Sequence, residues 1–246
     1  MLDTSKTDLC RLAEKTYCDA WNISSKFFYD NDYYVWMCNK VSPFNTVLEI
    51  GCGTGYSTLS LVEKGHPVIS IEKNHECIVK AKELLKENNY FESVQFVEGD
   101  LIDQGIDICV KLCPNIDVLV CWNPGPGVTR KDDIIKAYYS DLVKYGLDKQ
   151  QIYQNTESSY TELLLYRACV IAKALRIPIH IIDRIQSPYT DKAYYNTLAS
   201  TVGYSHIDFD ILAAKSISRG GVPLIENGIK QTDTIIPICF LSILMK

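Results

Sequence analysis

The sequence predicts an α/β fold in which a parallel sheet is covered by helices on both faces. Three features carry that expectation. From Thr46 onward short apolar runs alternate with amphipathic stretches; three glycines fall at alternate positions between the first run and the first helix; acidic residues close the next two runs. Strands that are buried on both faces read as continuous apolar runs rather than alternating ones, as these do.

Val47 to Ile50 is the first strand, and Tyr56 to Lys64 is the helix after it, stopped by Gly65 and Pro67. Val68 to Ile71 is the second strand. Asn74 can cap a helix running to about Glu87, because Ile78, Ala81, Leu84 and Leu85 fall three and four apart; Asn88 and Asn89 end it. Val94 to Val97 is the third strand, followed by a helix near Leu101 to Leu112. Asp117 to Trp122 is the fourth strand, followed by a Pro/Gly loop at Asn123 to Gly127. Lys131 to Tyr145 is helical and closed by Gly146. Ser159-x-x-Glu162 forms a capping box that opens a helix over Leu163 to Leu175, with a strand at Ile177 to Ile182 after it.

The tail has a different pattern. His206 to Leu212 and Ile235 to Leu244 are two strands expected to pair antiparallel at one edge of the sheet. Roughly twenty irregular residues carrying Arg219-Gly220-Gly221 join them, a length that often marks function. Residues 1–40 form a separate segment, with Leu9, Leu12, Ala13 and Tyr17 at helical spacing and then Phe27-Phe28-Tyr29 and Tyr33-Tyr34-Val35-Trp36-Met37. It is too short to fold alone and must pack on residues 41–246, either as a helical cover for a sheet edge or as a lid over a ligand at the strand ends.

Composition narrows the function. The chain has 25 Lys+Arg against 30 Asp+Glu, a net charge of −5, and no basic block, so it lacks the electrostatic footprint of a nucleic-acid binder. A small or proteinaceous substrate is the expected partner. The longest apolar stretch, Ile235 to Met245, falls short of the roughly 20 residues that span a bilayer. The polar start, Met1 to Asp8, lacks the pattern of a signal peptide, so cytoplasmic residence is expected. Ten cysteines are scattered with no Cys-x-x-Cys pair, so they read as reduced thiols, and no metal is expected. Cys109 and Cys113 could share a helix face, but nothing completes a ligand set. The histidines at 66, 75, 180 and 206 are equally dispersed.

The most informative string is Val47-Leu-Glu49-Ile-Gly51-Cys-Gly53-Thr-Gly55. Alternate glycines between a strand and a helix permit a tight turn and close backbone approach, leaving helix N–H groups free for a ligand. Glu72 ends the next strand, 21 residues after Gly51, where a carboxylate can accept both hydroxyls of a ribose. Asp100 closes the third strand in Val97-Glu-Gly-Asp100-Leu101. An adenosine-like ligand across these strand ends is the leading reading. The dinucleotide fingerprint G-x-G-x-x-G fails, because Tyr56 stands in the third glycine slot.

These residues resemble the class I S-adenosylmethionine-dependent methyltransferase family over nearly the whole chain. The resemblance implies a Rossmann-like sheet of order 3-2-1-4-5-7-6 with the last strand antiparallel, and S-adenosylmethionine as cosubstrate or substrate. The cofactor-binding set it implies is Tyr33, Glu49, Gly51, Gly53, Gly55, Glu72, Lys73, Asp100, Leu101, Asn123 and Pro124. Trp122-Asn123-Pro124-Gly125-Pro126-Gly127 stands where amino-directed relatives carry Asp/Asn-Pro-Pro-aromatic. Asn123 and Pro124 can still orient an amine, while the stacking aromatic is missing, which disfavours a nucleobase as acceptor. Tyr33, Tyr34, Trp36 and Tyr160 are candidates to wall a sulfonium by cation–π attraction.

Asn123, Tyr160 and Ser187 form the expected catalytic set. The same three residues and an aromatic lid are similar to the arrangement expected in azetidine-2-carboxylate synthases. Those enzymes let the amine of S-adenosylmethionine attack its own γ-carbon and release methylthioadenosine. Small-molecule methyl transfer, most readily to an amine, leads. Cyclisation is the alternative, and a protein methyltransferase or a non-catalytic binding module stands behind both.

Overall fold

A computed structural model describes residues 4–102, 115–125, 143, 156–189, 192–217, 224–226, 229–231 and 235–246. Two helices lead, α1 (Thr4–Asp30) and α2 (Tyr33–Val41). Then follow β1 (Val47–Ile50), α3 (Tyr56–Glu63), β2 (Val68–Glu72), α4 (His75–Glu87), a 3₁₀ turn (Phe91–Ser93), β3 (Val94–Glu98) and β4 (Val118–Trp122). The second half comprises α5 (Thr156–Leu175), β5 (Ile179–Ile185), α6 (Ala193–Val202), β6 (Ile207–Ser216), β7 (Leu224–Glu226), β8 (Ile229–Gln231) and β9 (Ile236–Met245).

Seven strands form one sheet in the order β3-β2-β1-β4-β5-β9-β6, as expected. β1 pairs in parallel with β2 and β4, and β9 runs antiparallel between β5 and β6. β1 and β4 are buried along their whole length, which is why they read as unbroken apolar runs. On one face of the sheet α1 to α4 pack Trp21, Phe28, Met37, Leu59 and Leu85 into a cluster with Phe240 of β9. On the other, Leu165 and Cys169 of α5 and Leu198 of α6 pack with Ile181 and Ile243 of the sheet.

Local signals placed several elements correctly. The Asn74 side chain accepts from the Glu76 and Cys77 N–H groups at the start of α4, satisfying donors that the helix itself leaves open. Elsewhere the structure corrects the expectation. α5 begins at Thr156, so Ser159 and Glu162 lie inside the helix rather than capping it. β5 continues through Asp183 and Arg184 to Ile185, because pairing with Leu241, Phe240 and Cys239 of β9 holds polar residues in the strand.

Helix α6, closed by Gly203 in the left-handed conformation, occupies a stretch where no element was expected. The connection between the two tail strands, expected to be irregular, contains the β7–β8 hairpin. The expected helices at 101–112 and 131–145, together with Cys109, Cys113 and Arg219-Gly220-Gly221, lie largely outside the described residues. Among the described residues no group of three His, Cys, Asp or Glu could hold a metal, and no helix is long and apolar enough to cross a membrane.

His180 is fully buried on β5, between β4 and β9. The Trp122 indole N–H donates to its Nδ1 at 2.9 Å, and since indole nitrogen can only donate, Nε2 carries the proton and donates to Ser242 Oγ at 2.9 Å. Burial pushes its pKa down to about 3. The unfolded chain takes up this proton below about pH 6.5 while the folded chain does not, so acid favours unfolding across the window from about 6.5 to 3. We predict that the stability advantage of wild type over His180→Gln, measured by urea unfolding, shrinks by up to about 1.4 kcal/mol per pH unit as pH falls through this window. A pH-independent difference would contradict the account.

Candidate active site

The C-terminal ends of β1 to β5 converge where the strand order reverses between β1 and β4, the position at which open α/β sheets form a crevice. The turn after β1 is built on left-handed backbone: φ is +79° at Gly51, +52° at Gly53 and +92° at Gly55. A side chain at Gly55 would meet the Ala81 Cα at 2.8 Å, so this glycine lets α4 pack against the start of α3. A Cβ at Gly51 would meet nothing within 4 Å, which leaves open space at the strand end.

Glu72 fastens this turn to β2. Its Oε2 accepts the Gly53 N–H, and its Oε1 accepts the N–H groups of Lys73 and Asn74, all at 2.9 Å. Burial pushes its pKa up while those donors oppose the shift. Two carboxylate oxygens offer about four acceptor sites, so Oε2 retains capacity for a ligand hydroxyl. Glu49 serves the opposite side of the turn. It is buried in β1 and accepts Ser57 Oγ at 2.5 Å and Thr58 Oγ1 at 2.6 Å, which pins the first turn of α3. Burial raises its pKa, and the two hydroxyls resist that shift.

Lys73, Tyr160 and Asp100 meet beside the turn. Lys73 Nζ lies 2.6 Å from the Tyr160 hydroxyl and 3.8 Å from Asp100 Oδ2, and the Tyr160 hydroxyl donates to Asp100 Oδ2 at 3.0 Å. Asp100 Oδ1 also accepts the Ile102 N–H at 2.9 Å, and Leu101 is buried next to it. Tyr160 therefore stands with the ends of β2 and β3. Ser187 lies two residues past the end of β5, where its Oγ accepts the Tyr189 N–H at 3.2 Å.

Asn123 follows β4 with φ at +51°, an unusual conformation for a residue other than glycine. Its N–H donates to Ile182 O at 2.8 Å, and its side chain is only 7% exposed. Neither Oδ1 nor Nδ2 has a hydrogen-bond partner among the described residues. An unpaired buried amide costs on the order of 1–3 kcal/mol, and such groups call for a ligand or a catalytic role. Pro124 is half-buried beside it.

The aromatic cover differs from the residues singled out in the sequence. The Tyr33 hydroxyl accepts the Lys215 N–H on the edge strand β6 at 3.0 Å, and its ring packs on Phe240, several strands from the glycine turn. Tyr34 is buried against Ser25, and Trp36 lies under Lys40. The ring that covers the turn is Trp21 of α1, whose Nε1 is 2.2 Å from where a Gly53 Cβ would stand. Tyr17, one helical turn earlier, brings its hydroxyl 2.9 Å from the corresponding position at Gly125.

The α1 helix is held across the site by an Asp19–Lys80 ion pair at 2.6 Å and by Asn74 Nδ2 donating to Glu14 O at 3.1 Å. Trp21 continues the Leu9, Leu12, Ala13 and Tyr17 spacing, which is the sequence signal that points to it. Arg184, a cation near the end of β5, is the second residue that sequence reading passed over; its guanidinium lies 5.6 Å from the Trp21 ring.

A family model described as a methyltransferase domain matches residues 43–166, which contain the glycine turn, Glu72, Asp100, Asn123 and Tyr160. The chain belongs to the methyltransferase domain family. Among relatives of this methyltransferase-domain chain, an uncharacterized RNA methyltransferase of Protochlamydia amoebophila is 34% identical over 96 residues, 39% of this chain and 21% of that protein. A second, named as a probable cobalt-precorrin-6B C(15)-methyltransferase (decarboxylating) of Methanobrevibacter smithii, is 28% identical over 108 residues, 44% of this chain and 54% of that protein. The chain thus spans at most about half the length of these relatives. The S-adenosylmethionine-dependent methyltransferase of Agrobacterium tumefaciens shares the fold, with a TM-score of 0.52 at 12% identity over 88% of this chain and 62% of that one.

The packing of Trp21 on Gly53 gives a direct test. Gly53→Ala forces Cβ into the indole and leaves alanine in left-handed backbone, which costs roughly 1–2 kcal/mol from the conformation alone. We expect Gly53→Ala to lower stability much more in wild type than in a Trp21→Ala background, giving a coupling of at least about 0.5 kcal/mol in a double-mutant cycle of urea unfolding. Additive losses would show that Trp21 does not rest on Gly53.

Proposed function

We propose that the chain transfers a methyl group from S-adenosylmethionine to a small-molecule amine. The observation that carries this reading is the buried, unpartnered Asn123 amide at the end of β4, next to the family's glycine turn. The residues fit the cosubstrate: open space at Gly51, spare acceptor capacity on Glu72, and the Lys73–Tyr160–Asp100 cluster on the adjoining side. S-adenosylmethionine supplies a methyl group on a sulfonium, whose displacement releases a neutral thioether. Little activation is then required beyond positioning and exclusion of water.

Asn123 Oδ1 can accept a hydrogen bond from the acceptor amine and aim its lone pair, while Trp21 and Tyr17 keep water from the turn. Chain composition supports a small acceptor over RNA: the net charge is −5 with no basic block. The RNA named for one relative concerns a protein that this chain matches over a fifth of its length.

A second reading, cyclisation of S-adenosylmethionine to azetidine-2-carboxylate and methylthioadenosine, is favoured by one observation. The α1 helix lays Trp21 and Tyr17 over the glycine turn and over Gly125, a cover suited to a site with no second substrate. Mass spectrometry separates the two. Incubation with S-adenosylmethionine and an amine panel should yield S-adenosylhomocysteine and a methylated amine, and Asn123→Ala should lower kcat more than cosubstrate affinity. Methylthioadenosine with azetidine-2-carboxylate in the absence of acceptor would replace this reading with the cyclase. Methylation of an added RNA in preference to the amines would overturn the small-molecule assignment.

A further inference from the structure

Methyl transfer to an amine leaves one charged group at the site without a task. Arg184 stands near the end of β5, opposite Phe240 of β9, and its guanidinium turns to the face covered by α1. Nη1 is buried and has no hydrogen-bond partner among the described residues. Neighbouring Asp183 acts on it only through space, because that carboxylate accepts the Tyr195 hydroxyl under α6 on the opposite face. Trp21 lies against the guanidinium, and Tyr17, Tyr34 and Asp183 are the other groups that bear on its charge. A half-buried arginine with one guanidinium nitrogen buried and no ion-pair partner among the described residues gives up solvation, and its planar fork matches an anion with two oxygens such as a carboxylate.

The sheet brings the backbone of Arg184 close to that of Asn123. Trp122 pairs with Ile182, and the Asn123 N–H bonds to Ile182 O, so Arg184 lies about one residue further along the neighbouring strand. Strands are about 4.8 Å apart and rise about 3.3 Å per residue, so the two side chains start from points about 6 Å apart. Trp21 links Arg184 to the cosubstrate side, meeting the Gly53 position with one edge and the guanidinium with its ring.

We propose that Arg184 binds the carboxylate of the acceptor, which makes the substrate an amino acid or another compact molecule carrying an amine and a carboxylate. Its amine would rest on Asn123 while its carboxylate takes the open Nη1. This inference rests on the methyl-transfer reading and names the substrate class of the same site.

The test uses full-length protein and two steps. First, calorimetry measures S-adenosylhomocysteine and methylthioadenosine binding to wild type, Arg184→Gln and Arg184→Lys. Second, each protein is saturated with S-adenosylhomocysteine and titrated with matched pairs that differ only by a carboxylate: leucine and isopentylamine, histidine and histamine, phenylalanine and phenethylamine. Tm and tryptophan emission are read together, with Trp21→Phe identifying the Trp21 signal.

In wild type, at least one amino acid should give a saturable shift in Tm and Trp21 emission while its decarboxylated partner gives none. Arg184→Gln should weaken that response about tenfold or more, and Arg184→Lys should restore part of it. Equal responses within each pair, or no response to any amino acid, would overturn the proposal. Loss of S-adenosylhomocysteine binding in Arg184→Gln with methylthioadenosine binding intact would also overturn it, since Arg184 would then hold the cosubstrate's own carboxylate. Failure of wild type to bind S-adenosylhomocysteine would instead remove the methyl-transfer reading itself.

Discussion

The hydrogen bond from the Gly53 N–H to Glu72 is the constraint on which the site depends. It ties the turn after β1 to the end of β2, and the same carboxylate collects the first N–H groups leading into α4. The turn can be drawn in only because its glycines accept left-handed backbone, which costs other residues roughly 1–2 kcal/mol at each position. Glu49 fixes the other end of the turn through Ser57 and Thr58. Two acids, buried Glu49 and half-buried Glu72 on adjacent strands, therefore hold a loop that has no apolar packing of its own at Gly51.

That fixed loop is a floor for everything laid on it. The Trp21 ring rests on Gly53, Tyr17 reaches Gly125, and the Asp19–Lys80 pair and the Asn74–Glu14 bond hold the helix that carries both rings. The far half of α1 is anchored differently. Phe28 packs edge-on against Phe240 of β9 at 5.1 Å, so the helix crosses from the parallel half of the sheet to the antiparallel one. Exposed ion pairs contribute little individually, whereas the buried aromatic cluster sets the position of α1.

How much of this was legible follows from the range of each interaction. The sheet order was reached through the resemblance carried by Glu49-Ile-Gly51-Cys-Gly53-Thr-Gly55, and the strands through their unbroken apolar runs. The α4 cap was legible because Asn74 acts on its own next three residues. Ser159-x-x-Glu162 misled for the same reason: the pattern is local, but the start of α5 at Thr156 is not set by it. Trp21 and Arg184 went unremarked because their meeting joins α1 to β5 across more than half of the chain, and no spacing rule encodes that. Tyr33 stood out as an aromatic, yet its side chain is claimed by Lys215 and Phe240, partners that only the antiparallel edge brings near.

The central claim is that the glycine turn, Glu72, the Asp100 cluster and the α1 cover act as one binding site. Hydrogen–deuterium exchange with and without S-adenosylhomocysteine tests it most directly. Ligand should slow exchange together at residues 51–55, 72–74 and 100–102 and along α1 from Glu14 to Trp21, with β6 and β9 unchanged. Protection confined to one of these segments, or none at saturating ligand, would contradict the account.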